Sequence, residues 1–144
     1  MRRAALLVSA VVVLGCSSDN NSNELTLPVT DANVVGNYSL TSSNGRALPF
    51  TVLLTADEQW VITSDQFVIA PDNTWSETTN YLITTLSTGG TRTSSTQASG
   101  AYAISSGAIN FTMTAGGTTP FTGSVTGNVL SLLFNGGHFL YSKS

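Results

Sequence analysis

His138 is the only histidine in the chain and Cys16 the only cysteine, so a metal or nucleophile site can draw on at most one of each. Zinc takes four donors, or three and an open position. His138 follows the turn residues "NGG" (Asn135 to Gly137), with no cysteine, second histidine or acidic cluster beside it in sequence. It reads as a surface residue after a hairpin, and no metal is expected. Asp57 and Glu58 are adjacent: in a strand they point to opposite faces, and in a turn both are solvated. Neither arrangement pairs two carboxyls for acid–base work. Serines are numerous, but none sits in a Gly-x-Ser-x-Gly elbow. The pairs Gly89-Gly90 and Gly116-Gly117 lie between strand-like runs and not between a strand and a helix, so they do not form phosphate cradles. This inventory contains no catalytic set and no cofactor site, and the chain is read as a non-enzyme.

Cys16 has a different context. Arg2 and Arg3 precede an apolar or small-residue segment of 11 residues, Ala4 to Leu14, and Gly15 stands before the cysteine. That segment is too short for a transmembrane helix, which needs about 20 residues. The ending "VLGC" resembles the lipobox of bacterial lipoproteins. The resemblance implies that residues 1–15 are a signal peptide and that Cys16 becomes the lipidated first residue, holding the protein to a membrane of the bacterial cell envelope. Ser17, in place of Asp, is similar to the pattern for onward transport to the outer membrane in two-membrane bacteria. Two or three acyl chains give stable attachment where one is marginal.

Losing Arg2 and Arg3 leaves three basic residues, Arg46, Arg92 and Lys143, against eight acidic ones, a net charge of −5. Nucleic-acid binding needs clustered Lys and Arg, so no nucleic-acid partner is expected. With a single cysteine, no intrachain disulfide can form. Residues 16–33 read as the lipidated Cys16 and a polar tether, since "SSDNNSNELTLPVTDAN" buries too little apolar surface to order itself. A flexible chain of that length spans roughly 23 Å.

Residues 34–144 make one small domain. From Thr78 to Ser142 the only formal charge is Arg92, while Thr, Ser and Asn abound. β-branched Thr suits a pleated, half-buried surface. Period two is explicit: Ile109, Phe111 and Met113 alternate with polar residues, as do Phe121 with Val125 and Leu130, Leu132 with Phe134. Turn chemistry fills the gaps, with "NGG" the strongest hairpin signal and "APDNT" (Ala70 to Thr74) fitting a type I turn. A weak helical possibility remains near Thr55 to Gln59. The expectation is all-β: an antiparallel up-and-down meander of about eight to ten strands, closed as a barrel or folded as a two-sheet sandwich.

"VVGNYSLTSSNGRALP" (Val34 to Pro49), "GAYAISSGAINFTM" and "FTGSVTGNVLSLLFNGGHFLYSK" resemble bacterial lipocalin-like domains. The resemblance implies a closed barrel in which Gly36 and Tyr38 stand for the family's Gly-x-Trp and Lys143 for the basic residue packed over that ring. The alternative makes Tyr38 a plain core aromatic and Lys143 a solvated tail. It also implies an interior that takes a small apolar ligand, against a structural or protein-interaction domain with a filled core. Small inward candidates Ala101, Ala103 and Gly123 would leave room, whereas Trp60, Trp75, Phe111 and Phe134 would take it away.

Overall fold

The computed structural model describes residues 30–144; Cys16 and the proposed signal peptide and lipidation site lie outside them. A helical turn, α1 (Asp31–Val34), leads into ten strands: β1 (Gly36–Ser43), β2 (Arg46–Ala47), β3 (Phe50–Leu54), β4 (Glu58–Ile69), β5 (Thr74–Thr85), β6 (Thr91–Ser105), β7 (Ala108–Ala115), β8 (Phe121–Thr126), β9 (Val129–Phe134) and β10 (Gly137–Lys143). α1 straddles the expected end of the tether at residue 33, and Val34 within it is fully buried.

From β4 to β10 each strand pairs antiparallel with the next. β1 then closes the ring twice. It pairs with β10 from Tyr38 opposite Lys143 to Ser43 opposite Phe139, and with β4 from Gly36 opposite Ile69 to Ser39 opposite Gln66. The result is a closed eight-stranded antiparallel barrel, the up-and-down architecture expected, and the sandwich is excluded. β2 and β3 lie outside the ring, on β1 and β4 respectively. Closure removes the unpaired edges of the eight ring strands.

The turns explain the tight meander. Asn135 and Gly136 have φ of 48° and 75°, the two positive angles of a type I′ hairpin, which only Asn and Gly adopt cheaply. The stretch expected as a weak helix is instead a turn into β4. Thr55 Oγ1 accepts hydrogen bonds from the Glu58 and Asp57 amides at 3.0 and 3.3 Å, and Thr55 N–H donates to the Glu58 carbonyl at 2.9 Å, so the segment closes a hairpin between β3 and β4.

The period-two residues face inward as expected, and aromatic rings pack against one another inside the barrel. Phe67 stacks on Trp75 at 5.1 Å between centroids, and Phe111 on Phe121 at 4.7 Å, with Trp75 edge-on to Phe121 at 5.2 Å. Offset and edge-to-face contacts of this kind add to the apolar burial. Trp75 Nε1 donates to the Thr112 carbonyl at 3.1 Å, so its one polar atom is satisfied inside the core. Ala101 and Ala103, expected inward, are exposed; Tyr102 is the buried residue between them. Tyr102 is the larger apolar surface, and its hydroxyl reaches the Ala70 carbonyl at 3.0 Å, which fixes the parity of the strand.

Parity is also set by irregularities. In β4 a bulge between Ile62 and Ser64 inserts one residue, so the inward set changes from Ile62 to Asp65, Phe67 and Ile69. A polar side chain is thereby turned into the barrel.

Candidate functional site

The two ends of the barrel differ. At the closed end α1 lies across the base. Tyr38, fully buried, donates its hydroxyl proton to the Val34 carbonyl at 2.6 Å, and burial pushes its phenol up to about 12, helped by the charge of Tyr102. Lys143 Nζ sits 5.6 Å from the Tyr38 ring centroid and donates to the Asn33 carbonyl at 3.2 Å. A Cβ on Gly36 would collide with the Lys143 stem, so the missing side chain leaves the channel in which the lysine lies. Gly36, Tyr38 and Lys143 are therefore brought together, as a latch for the turn at the base.

At the other end the barrel is less full. Phe67, Met113, Phe121, Leu132, Phe134 and Phe139 line a cavity of about 50 Å³. Met113, Phe134 and Phe139 are half-buried and form its rim, on the side of the β9–β10 turn. Two polar side chains, Glu77 and Tyr141, complete the wall.

Glu77 belongs to a buried cluster. Tyr141 donates to Glu77 Oε1 at 3.0 Å, and Thr79 donates to Asp65 Oδ2 at 2.8 Å. Asp65 is 5% exposed and its Oδ1 has no hydrogen-bond donor. The carboxyls of Asp65 and Glu77 are close enough for each to shift the other's proton affinity, and two groups that otherwise only accept can share one proton there. Burial raises both: Asp65 to about 7, with the neighbouring Glu77 charge adding to the effect, and Glu77 in the same direction. The Tyr141 phenol is raised by burial and then by the two acids. Both acids thus hold their protons to higher pH than solvated carboxyls do, and deprotonation places negative charge inside the barrel.

No basic side chain faces that charge among the described residues. Arg46 lies over the Phe50 ring, Arg92 bonds Glu58 at 2.8 Å, Lys143 is at the base, and His138 is exposed with Nε2 2.8 Å from Ser131 Oγ. Asp57 is exposed, while Glu58 is held below the usual carboxylate range by the hydrogen bond from Arg92 and then by that from Trp60. Among the described residues no three His, Cys, Asp or Glu side chains gather as a metal site. Asp65 and Glu77 carry no motif; the only trace of them in the sequence is alternation, with Glu77 two residues from Trp75 and Asp65 two from Phe67.

No family model matches the chain, no curated protein is significantly similar to it, and no solved structure matches it significantly.

Proposed function

We propose that the protein is a lipid-anchored lipoprotein of the bacterial cell envelope, of the outer membrane where there are two, whose lipocalin-like barrel binds one small, largely apolar molecule and performs no catalysis. The observation that carries the binding role is the cavity between Phe67, Met113, Phe121 and Leu132, apolar on most of its wall and rimmed by half-buried side chains. Enclosed apolar walls with a few convergent polar groups are the usual make-up of a ligand site. Its volume sets a bound. At about 50 Å³ it admits about four water-sized groups, so the ligand is small or leaves part of itself in the mouth. The anchoring role rests on Arg2, Arg3, the apolar segment and Cys16. The chain enters the barrel at its closed end, so a tether from Cys16 would leave the mouth facing away from the lipid.

Organic extraction of the protein purified from cells, followed by mass spectrometry, tests the binding role: a stoichiometric small molecule is expected, and its absence from a Leu132→Trp variant that fills the cavity. Metabolic labelling with a fatty-acid analogue tests the anchor, and label on a Cys16→Ala chain would overturn it. The packed aromatic cluster inside the barrel favours a second reading, a surface domain without cargo. Leu54 on β3 and Leu86 in the β5–β6 turn, 66% and 44% exposed, would then be its contact points. Wild-type protein that yields no extractable ligand decides for that reading.

A further inference from the structure

We infer that Glu77, backed by Asp65 and Tyr141, is the cation-binding end of the cavity, and that the ligand is a primary amine on a small apolar body. This rests on the reading of the cavity as a ligand site and specifies its chemistry.

Two carboxyls stand inside a barrel whose other inward groups are mostly rings and aliphatic chains. Their four oxygens meet two side-chain donors, the hydroxyls of Thr79 and Tyr141. Asp65 Oδ1 is left without a donor in a side chain that is 5% exposed. A buried charge without a partner is costly, and proteins pair such charges or bind an ion there. Among the described residues no basic side chain serves as that partner, since Arg46, Arg92, Lys143 and His138 are each engaged elsewhere. Glu77 itself lines the cavity, so a ligand entering past Phe134 and Phe139 reaches the carboxylate directly. An ammonium supplies the missing charge and three donors, and the apolar wall takes a short alkyl or aryl body. An alcohol of the same shape could accept the proton of the pair but would leave the charge unpaired. A carboxylate would add a second negative charge.

The groups that face Glu77 define the pH response. Asp65 comes from β4 and Tyr141 from β10. Ala98 of β6 stands opposite Glu77 in the sheet and Leu40 of β1 opposite Tyr141, and neither titrates. As pH rises through the range where the pair loses its protons, the site becomes more negative, while an alkylamine stays cationic throughout. Amine affinity therefore increases with pH and alcohol affinity does not.

Calorimetric titration of the full-length protein with butylamine, butanol and butyrate, at about pH 5 and about pH 8, tests this. Butylamine is expected to bind at pH 8 about tenfold or more tighter than butanol, to weaken at pH 5, and to lose its advantage in Glu77→Gln. Butanol binding as tightly as butylamine at pH 8 overturns the amine assignment and leaves the apolar site standing. Binding of none of the three overturns both. If Glu77→Gln does not fold, the wild-type comparison at the two pH values decides alone: an amine preference that does not grow with pH rejects the carboxyl pair as its cause.

Discussion

Replacing Asp65 by Asn is expected to stabilise the protein at alkaline pH, although it removes a buried hydrogen-bonding residue. In the wild type the folded Asp65 carboxyl holds its proton up to about 7, against 3.8 as the ordinary value. Its folded pKa is raised, so between those values the native state binds more protons than the unfolded chain, and stability falls as pH rises across that window. Below about 4 the group is protonated in both states and costs nothing; above about 7 the full penalty is present. At 1.36 kcal/mol per pH unit, about three units give an upper bound near 4 kcal/mol, of which relaxation and water entry leave about 2 to 4 kcal/mol. Asn at this position cannot ionise. Its carbonyl can still accept from Thr79 Oγ1, and its amide can donate to Glu77 where the shared proton now lies. Urea unfolding, followed by tryptophan fluorescence through buried Trp75, would be measured for both proteins from about pH 4 to about pH 8. Near pH 4 they should agree within about 1 kcal/mol, and near pH 8 the variant should lead by about 2 kcal/mol or more, with a residual slope from Glu77. An Asp65→Asn protein that is less stable at pH 8, or that keeps the full wild-type slope, refutes the buried proton-sharing pair.

Replacing Lys143 with Met keeps most of the aliphatic stem but removes the charge over Tyr38 and the bond to the Asn33 carbonyl, so thermal unfolding should show a loss of about 1 kcal/mol, largely abolished in a Tyr38→Leu background. Trp75→Phe leaves the Thr112 carbonyl without its indole donor and should cost about 1 to 3 kcal/mol by chemical denaturation. Cysteines at Ser39 and Ser142, which stand opposite each other across β1 and β10, should bridge on oxidation in a Cys16→Ser chain, because facing strand positions lie within the reach of about 7 Å that a disulfide allows. Mass spectrometry that finds only free thiols would contradict that register.

The strands were legible because Thr-rich alternation and the Asn-Gly turns act locally: Ile109, Phe111 and Met113 need only their neighbours to declare a face. Closure was legible only through the resemblance, since nothing local tells Tyr38 that Lys143 is its neighbour. Where local reasoning erred, a competing surface decided. Ala101 and Ala103 are small enough to suit an interior, but they share a face, and the opposite face holds Tyr102, whose burial outweighs theirs. Asp65 was hidden by a bulge. Counting in twos from Ile62 puts Ser64 inside and Asp65 outside, and the extra residue between Ile62 and Ser64 reverses that assignment. Glu77 had no such disguise, but one acid on a Thr-rich strand is usually solvated, and only the partner strands bring Asp65 and Tyr141 to it.

Closure of the ring through β1 and β10 also sets the order of assembly during synthesis. β1 can meet β4 once about thirty residues separate them, and each later strand can then add to the one before it as a hairpin. The other side of β1 has no partner until the last strand, Gly137–Lys143, has emerged. Contacts between residues so distant in sequence, such as Ser144 Oγ to the Asn37 carbonyl, carry a large loop-closure cost and slow the final step. Until β10 arrives no partial product can seal itself into a barrel, and β1 keeps one edge open.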